Sequence, residues 1–184
     1  MMCAASIVGT PAFAAAPTLP SGFVVQRLAE TDGSVWRPKD WFFTSQGTQS
    51  GWMWTVSKEN PATEPYRTGM RIQLLVGVTS GAGKPPESFA KDFIRNKMRN
   101  SEVLRQCAVD DNGEFYRQCL EVLEDLPPPV SPGKYRVLYS VYWGKKMDMV
   151  VISTFGAPQS SWGQVAPIVD TMSRIELFGP NFGK

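Results

Sequence analysis

The chain has 184 residues, 42% of them hydrophobic and 20% charged, with a formal net charge of +2 and no histidine. That composition describes one ordinary globular domain and gives no electrostatic case for nucleic acid. Without histidine there is no Ser-His-Asp or Cys-His triad, no His-ligated zinc and no imidazole base, which argues against an enzyme.

The opening "MMCAASIVGTPAFAAAPTLP" carries no charged side chain, and the first charge is Arg27. Residues 1–16 end in an A-x-A type region and read as the apolar core and cleavage region of an export signal. The basic start of such a signal is missing, so either the start is trimmed or a longer precursor lies upstream, as in two-part plastid targeting. The competing reading is an Ala/Pro arm. No lipobox precedes Cys3, and no apolar run is long enough to span a bilayer.

Residues 17–32 read as an N-terminal arm or first strand, with Phe23, Val24 and Val25 as its apolar part. In "GSVWRPKDWFF", Pro38 separates two short strand pieces around a turn. "GWMWTVS" alternates, with Trp52, Trp54 and Val56 on one face, and "MRIQLLVGVT" alternates from Met70 through Val78. Gly77 reads as a bulge or a close approach. "SGAGK" reads as a plain loop, since it lacks phosphate-loop spacing.

"PPESFAKDFIRNKMRN" predicts a helix over 85–100, with proline and an acid first, cations last, and Phe89, Ala90, Phe93, Ile94 and Met98 as its apolar stripe. Residues 102–124 predict a hairpin, and 127–134 a loop. Two strands, 135–144 and 147–156, are joined at Gly144-Lys145-Lys146. The second is apolar on both faces, so it is expected to be central. A last helix lies within 160–177, capped by Ser160 or Ser161. Pro167 predicts that it begins near Ala166 or bends there.

The turn in "RQCAVDDNGEFYRQC" decides the cysteines. A loop of Asn112-Gly113 places Cys107 and Cys119 on opposite faces. A loop of Asn112-Gly113-Glu114 places them face to face, within disulfide reach. A bulged turn at Gly113 leaves them diagonal and too far apart. The apolar pattern of Val103, Val109, Tyr116, Leu120 and Val122 favours the first register. An exported setting favours the second. Both stay open here. Neither makes the cysteines catalytic, with no histidine base and no C-x-x-C.

Trp36, Trp41, Phe42, Phe43, Trp52 and Trp54 crowd the first third. Trp52 and Trp54 are candidates for a partner-binding platform, although alternating strand tryptophans favour core packing. Lys145 and Lys146 are candidates for docking on an acidic complex, against a solvated turn. The acids Asp110, Asp111 and Glu114, and Glu121, Glu124 and Asp125, lack calcium-loop spacing and read as solvated turns.

The predicted order is strands, helix, four strands, helix, with a largely antiparallel sheet covered by helices. Three phrases carry a resemblance over roughly 33–178: Pro38-Lys39-Asp40-Trp41 after the first strand, Pro86-Glu87-Ser88-Phe89 opening a helix, and Val150 to Gly156 followed by Trp162 and a helix from Ala166 to Ile175. In this order the chain resembles the PsbP/Mog1-like family. The resemblance implies an α+β fold, an α/β/α sandwich around a largely antiparallel sheet, for 33–178, with 179–184 as a tail. It also implies a mostly non-enzymatic role. Members include lumenal proteins and assembly factors of photosystems, exported bacterial proteins and a nuclear GTPase-binding protein.

Some members handle calcium or manganese partly through histidine, so no metal or other cofactor is expected here. The resulting expectation is an exported accessory protein. It would dock on and stabilise or help assemble a larger membrane complex, a photosystem in the thylakoid lumen if the organism is photosynthetic. The alternative is a periplasmic small-ligand-binding module using the tryptophan-rich end.

Overall fold

Alternation in the sequence becomes two sheets. The computed structural model describes residues 18–125 and 133–179. The signal-like segment 1–16, nearly all of the 127–134 loop and most of the 179–184 tail lie outside them.

β1 (Phe23–Leu28), β2 (Gly33–Pro38) and the short β11 (Ile175–Glu176) form a three-stranded antiparallel sheet in the order β1-β2-β11. The larger sheet runs β3 (Phe42–Thr48), β4 (Gly51–Ser57), β5 (Gly69–Val76), β10 (Met149–Pro158), β9 (Lys134–Gly144), β8 (Phe115–Asp125), β6 (Glu102–Gln106), with β7 (Asp110–Asn112) also on β8. Every pairing between described strands is antiparallel.

β10 sits between β5 and β9, as its doubly apolar sequence demands. Val150 and Ile152 face α2 (Pro86–Asn100), packing with Ala90 and Ile94. Val151 and Phe155 face the opposite layer, packing with Trp54, Ile72 and Leu74. That layer is α3 (Trp162–Met172) together with the small sheet, through Trp162, Val165, Val169, Met172, Leu28 and Val35. The fold is α+β, one antiparallel sheet between two covering layers.

Gly69 shows why its position is a glycine. Its φ is +154°, and a Cβ there would lie 2.0 Å from the Val56 carbonyl oxygen on the paired strand. No side chain fits, so β5 can close onto β4 only at a glycine.

Four local expectations are corrected. β5 ends at Val76, and Gly77, with φ of 65°, turns the chain into a short helix α1 (Val78–Ala82), where a strand and then a loop were expected. Asp148 fixes that turn: its carboxylate accepts the backbone N–H and hydroxyl of Thr79, both at 2.9 Å, and its carbonyl accepts the Gly77 N–H at 2.8 Å. Met98 of the helix stripe is exposed rather than part of the core.

α3 begins at Trp162, one turn before Pro167, after a 3-10 turn at Gln159–Ser161. Pro167 sacrifices one helical hydrogen bond near the start without ending the helix. Ser161 holds the N-cap place, but its hydroxyl donates to the Pro158 carbonyl at 3.0 Å instead of capping α3. α3 stops at Met172, and Ile175 leaves the helix to pair with Val35 on β2.

The fourth correction is the cysteine hairpin. Asn112 pairs with Phe115, so the loop is Gly113-Glu114, a register outside all three expected ones. Gly113 takes φ of 67°, as a tight hairpin turn requires at that place. Gln106 pairs with Leu120 and Asp110 with Arg117, so residues 107–109 face only 118–119. This bulge brings Cys107 opposite Cys119. Their Cα atoms are 5.0 Å apart, the Cys107 N–H donates to the Cys119 carbonyl at 3.0 Å, and the sulfurs are joined as a disulfide. The apolar pattern misdirected the register because Val103, Val109 and Tyr116 are exposed, while only Leu120 and Val122 are core.

Candidate functional site

α2 covers the β8–β9 side of its sheet face and leaves the β5 side open. Across that open part Arg71 of β5 lies beside Thr154 of β10, which lies beside Tyr139 of β9. The β4–β5 connection closes over the row. Glu59 organises that loop: its carboxylate accepts the backbone N–H of Thr68 at 2.9 Å and of Arg67 at 3.0 Å, and the Ser57 hydroxyl at 3.1 Å. Burial acts to raise the Glu59 carboxyl, and the Thr68 and Arg67 donors outweigh it and leave it below the usual range.

The result is a cavity of about 430 Å³ lined by Tyr66, Arg67, Arg71, Lys97, Glu124, Tyr135, Tyr139 and Thr154, among others. Glu124 accepts three donors at a single oxygen, Oε1. Lys97 donates to it at 3.0 Å, the Tyr139 hydroxyl at 2.9 Å and the Ser101 hydroxyl at 3.4 Å. Burial, then the adjacent Glu124 charge, push the Tyr139 phenol far up, so it stays a neutral donor. Burial likewise pushes Tyr66 up. Arg71 lies over the Tyr66 ring at 5.1 Å, and Lys97 over the Tyr139 ring at 4.7 Å.

A second concavity, an open groove of about 720 Å³, lies on the other sheet face between β6, β8, β9 and α3. Its floor is the buried Glu121, paired with Arg136 at 2.7 Å and Arg105 at 3.3 Å. The Arg136 guanidinium lies 4.7 Å over the Trp162 ring. Leu104, 39% exposed, forms part of the rim at the sheet edge. A third, smaller cavity of about 260 Å³ lies outside β3 and β4, lined by Phe42, Thr44, Thr55 and Tyr66 among others.

Neither Trp52 nor Trp54 lines any of these three cavities. Trp54 is 1% exposed, and its indole N–H donates to Glu30 at 2.9 Å; Trp52 is partly buried against the same core. The tryptophan platform is therefore corrected to core packing, because the strand face that carries Trp54 is the one covered by α3 and the small sheet. Lys145 pairs with Asp111 at 2.5 Å and lies over the Tyr116 ring at 4.9 Å, which ties the two hairpin tips together. Lys146 beside it is exposed and makes no ion pair among the described residues. Among the described residues no group of three or more His, Cys, Asp or Glu is placed to hold a metal ion.

The tyrosine–arginine cavity is not legible along the chain because the β4–β5 loop and five separate elements build it. One signal was available. Thr154 is a polar position on a β10 face otherwise apolar toward the helix layer, and Arg71 and Gln73 are polar on the same face of β5, which marks a place the helix does not cover.

No family model matches the sequence, and no curated protein matches it. Solved structures do match. The cyanobacterial PsbP (CyanoP) of Synechocystis aligns at a TM-score of 0.50 and 9% identity, over 92% of this chain and 100% of that one. The Ran-binding protein Mog1p of Saccharomyces cerevisiae aligns at 0.51 and 9%, over 84% of this chain and 95% of that one. The fold is PsbP/Mog1-like. At such identities the likeness speaks for the fold.

Proposed function

We propose that this chain is an exported, non-catalytic accessory protein that docks on a larger membrane protein complex and stabilises it or helps assemble it. If the organism is photosynthetic, the complex is a photosystem and the compartment the thylakoid lumen; otherwise the periplasm is the corresponding site. The observation that carries the reading is the alignment with cyanobacterial PsbP over that protein's whole length and 92% of this chain. The signal-like residues 1–16 and the joined Cys107 and Cys119 fit an oxidising compartment. No described helix is long and apolar enough to cross a membrane.

Docking would use the edge of the sheet at β6 and the groove beside it, where Leu104 and Val103 are exposed, with Lys146 at the β9–β10 hairpin tip, farther along the sheet, as a second contact. Such an edge combines apolar contact with charge.

Washing source membranes tests the reading. The chain is expected to stay with membranes at low salt and to leave on raising the salt toward about 1 M, where charge attraction is screened. Leu104→Glu and Lys146→Glu are expected to weaken retention without unfolding the domain. A chain found wholly in the soluble fraction at low salt contradicts the reading.

A further inference from the structure

We infer that the cavity between the β4–β5 loop and α2 is a binding site for an oxyanion, a carboxylate or phosphate group on a small molecule. The site is independent of the docking edge and goes beyond the accessory role.

Most cations of the described chain are spent on ion pairs, among them Lys84, Lys91, Lys97, Arg105, Arg136 and Lys145. Arg67 and Arg71 are different. Both line the cavity, and among the described residues neither side chain makes an ion pair or a hydrogen bond. Among the described residues the one carboxylate lining the cavity, Glu124, is held at Oε1 by Lys97, Tyr139 and Ser101. Glu59 stands behind the loop, its carboxylate occupied by the Arg67 and Thr68 N–H groups. Counting both acids against Arg67, Arg71 and Lys97 still leaves the site one positive charge in excess.

The guanidinium of Arg71 is poised for such a ligand. Its central carbon lies over the Tyr66 ring, 5.1 Å from the ring centre. A cation–π contact consumes none of the guanidinium N–H groups, which can then form two parallel bonds to an oxyanion. The Tyr66 hydroxyl, kept neutral by burial, has no hydrogen-bond partner among the described residues and adds a donor. Thr154, next to Arg71 across the sheet, offers a hydroxyl. The volume of about 430 Å³ lies within the range of small-molecule sites and exceeds what a bare phosphate fills.

The test titrates the full chain separately with citrate and with inorganic phosphate, following arginine side-chain N–H and tyrosine signals by NMR. The expected result is saturable binding of at least one probe, weakened about tenfold or more in both Arg71→Gln and Arg67→Gln, as loss of a charge-assisted pair implies. Lys39→Gln, an exposed cation outside the cavity, is expected to bind as the unaltered chain does. Saturation by citrate alone assigns a carboxylate ligand, and by phosphate alone a phosphate ligand. Shifts that rise linearly without saturation for both probes overturn the inference. So does saturation that Arg71→Gln and Arg67→Gln leave unchanged in a folded protein.

Discussion

Reducing the Cys107–Cys119 link is expected to destabilise the domain without dismantling its hairpin. The cysteines are 12 residues apart, so the link closes a short loop. The chain-entropy relation then gives about 3 kcal/mol at 25 °C. With a urea m-value of about 2 kcal/mol/M for a domain of this size, the midpoint should fall by about 1.5 M on reduction. The backbone bond from Cys107 N–H to the Cys119 carbonyl does not depend on the sulfurs, so near-native spectra should persist below the new midpoint.

The assay is urea unfolding with and without reductant, beside Cys107→Ala and Cys107→Ala/Cys119→Ala proteins. Alkylation in denaturant followed by mass measurement counts free thiols; denaturant is needed because Cys119 is only 3% exposed. The single variant should be no more stable than the double, since it leaves a lone buried thiol. Finding both thiols free in protein isolated from its native compartment, or an unmoved midpoint on reduction, would refute the reasoning.

Other outcomes follow from the core and its charged contacts. Trp54→Ala should cost about 3–5 kcal/mol by urea unfolding, as for a large core aromatic. Trp54→Phe should cost less and strand the Glu30 acceptor, which Ser45 also holds at 2.6 Å. Gly69→Ala should destabilise by more than about 1 kcal/mol, because the new methyl meets the Val56 carbonyl in a backbone region closed to alanine.

Acid should weaken the fold through Glu30 and Glu59. Burial raises each carboxyl, but the hydrogen bonds outweigh it: from Ser45 and Trp54 at Glu30, and from Thr68 and Arg67 at Glu59. Both carboxyls are therefore lower in the folded chain than their ordinary 4.5. Their contribution is fully present above that value and is lost as pH falls through the depressed folded values. Glu59→Gln should flatten the acid limb of a pH–stability curve measured by thermal unfolding; an unchanged limb would count against the loop's role.

Much of the sheet is legible in the sequence because alternation and its absence have direct physical causes. The run Val150-Val151-Ile152 can be satisfied only between two covered faces, and the structure puts β10 there. Proline and glutamate at the start of α2, with its apolar stripe, define that helix. Pro167 was a weaker guide, since one lost hydrogen bond near a helix start is outweighed by burying Trp162 and Val165. The Cys107 register was not legible, because a bulge at 107–109 has no periodic signature and exposed Val109 and Tyr116 imitate a core face. The oxyanion cavity was least legible. Tyr66, Arg71, Lys97 and Tyr139 come from separate elements, and only the tertiary fold joins them.

The most direct test of the accessory role is a native separation of gently solubilised source membranes, probed for this chain. Migration with a large membrane complex, pigment-bearing if the organism is photosynthetic, and dissociation after a high-salt wash are expected. Migration only as a free monomer of about 20 kDa, with mild detergent and low salt throughout, would contradict that role.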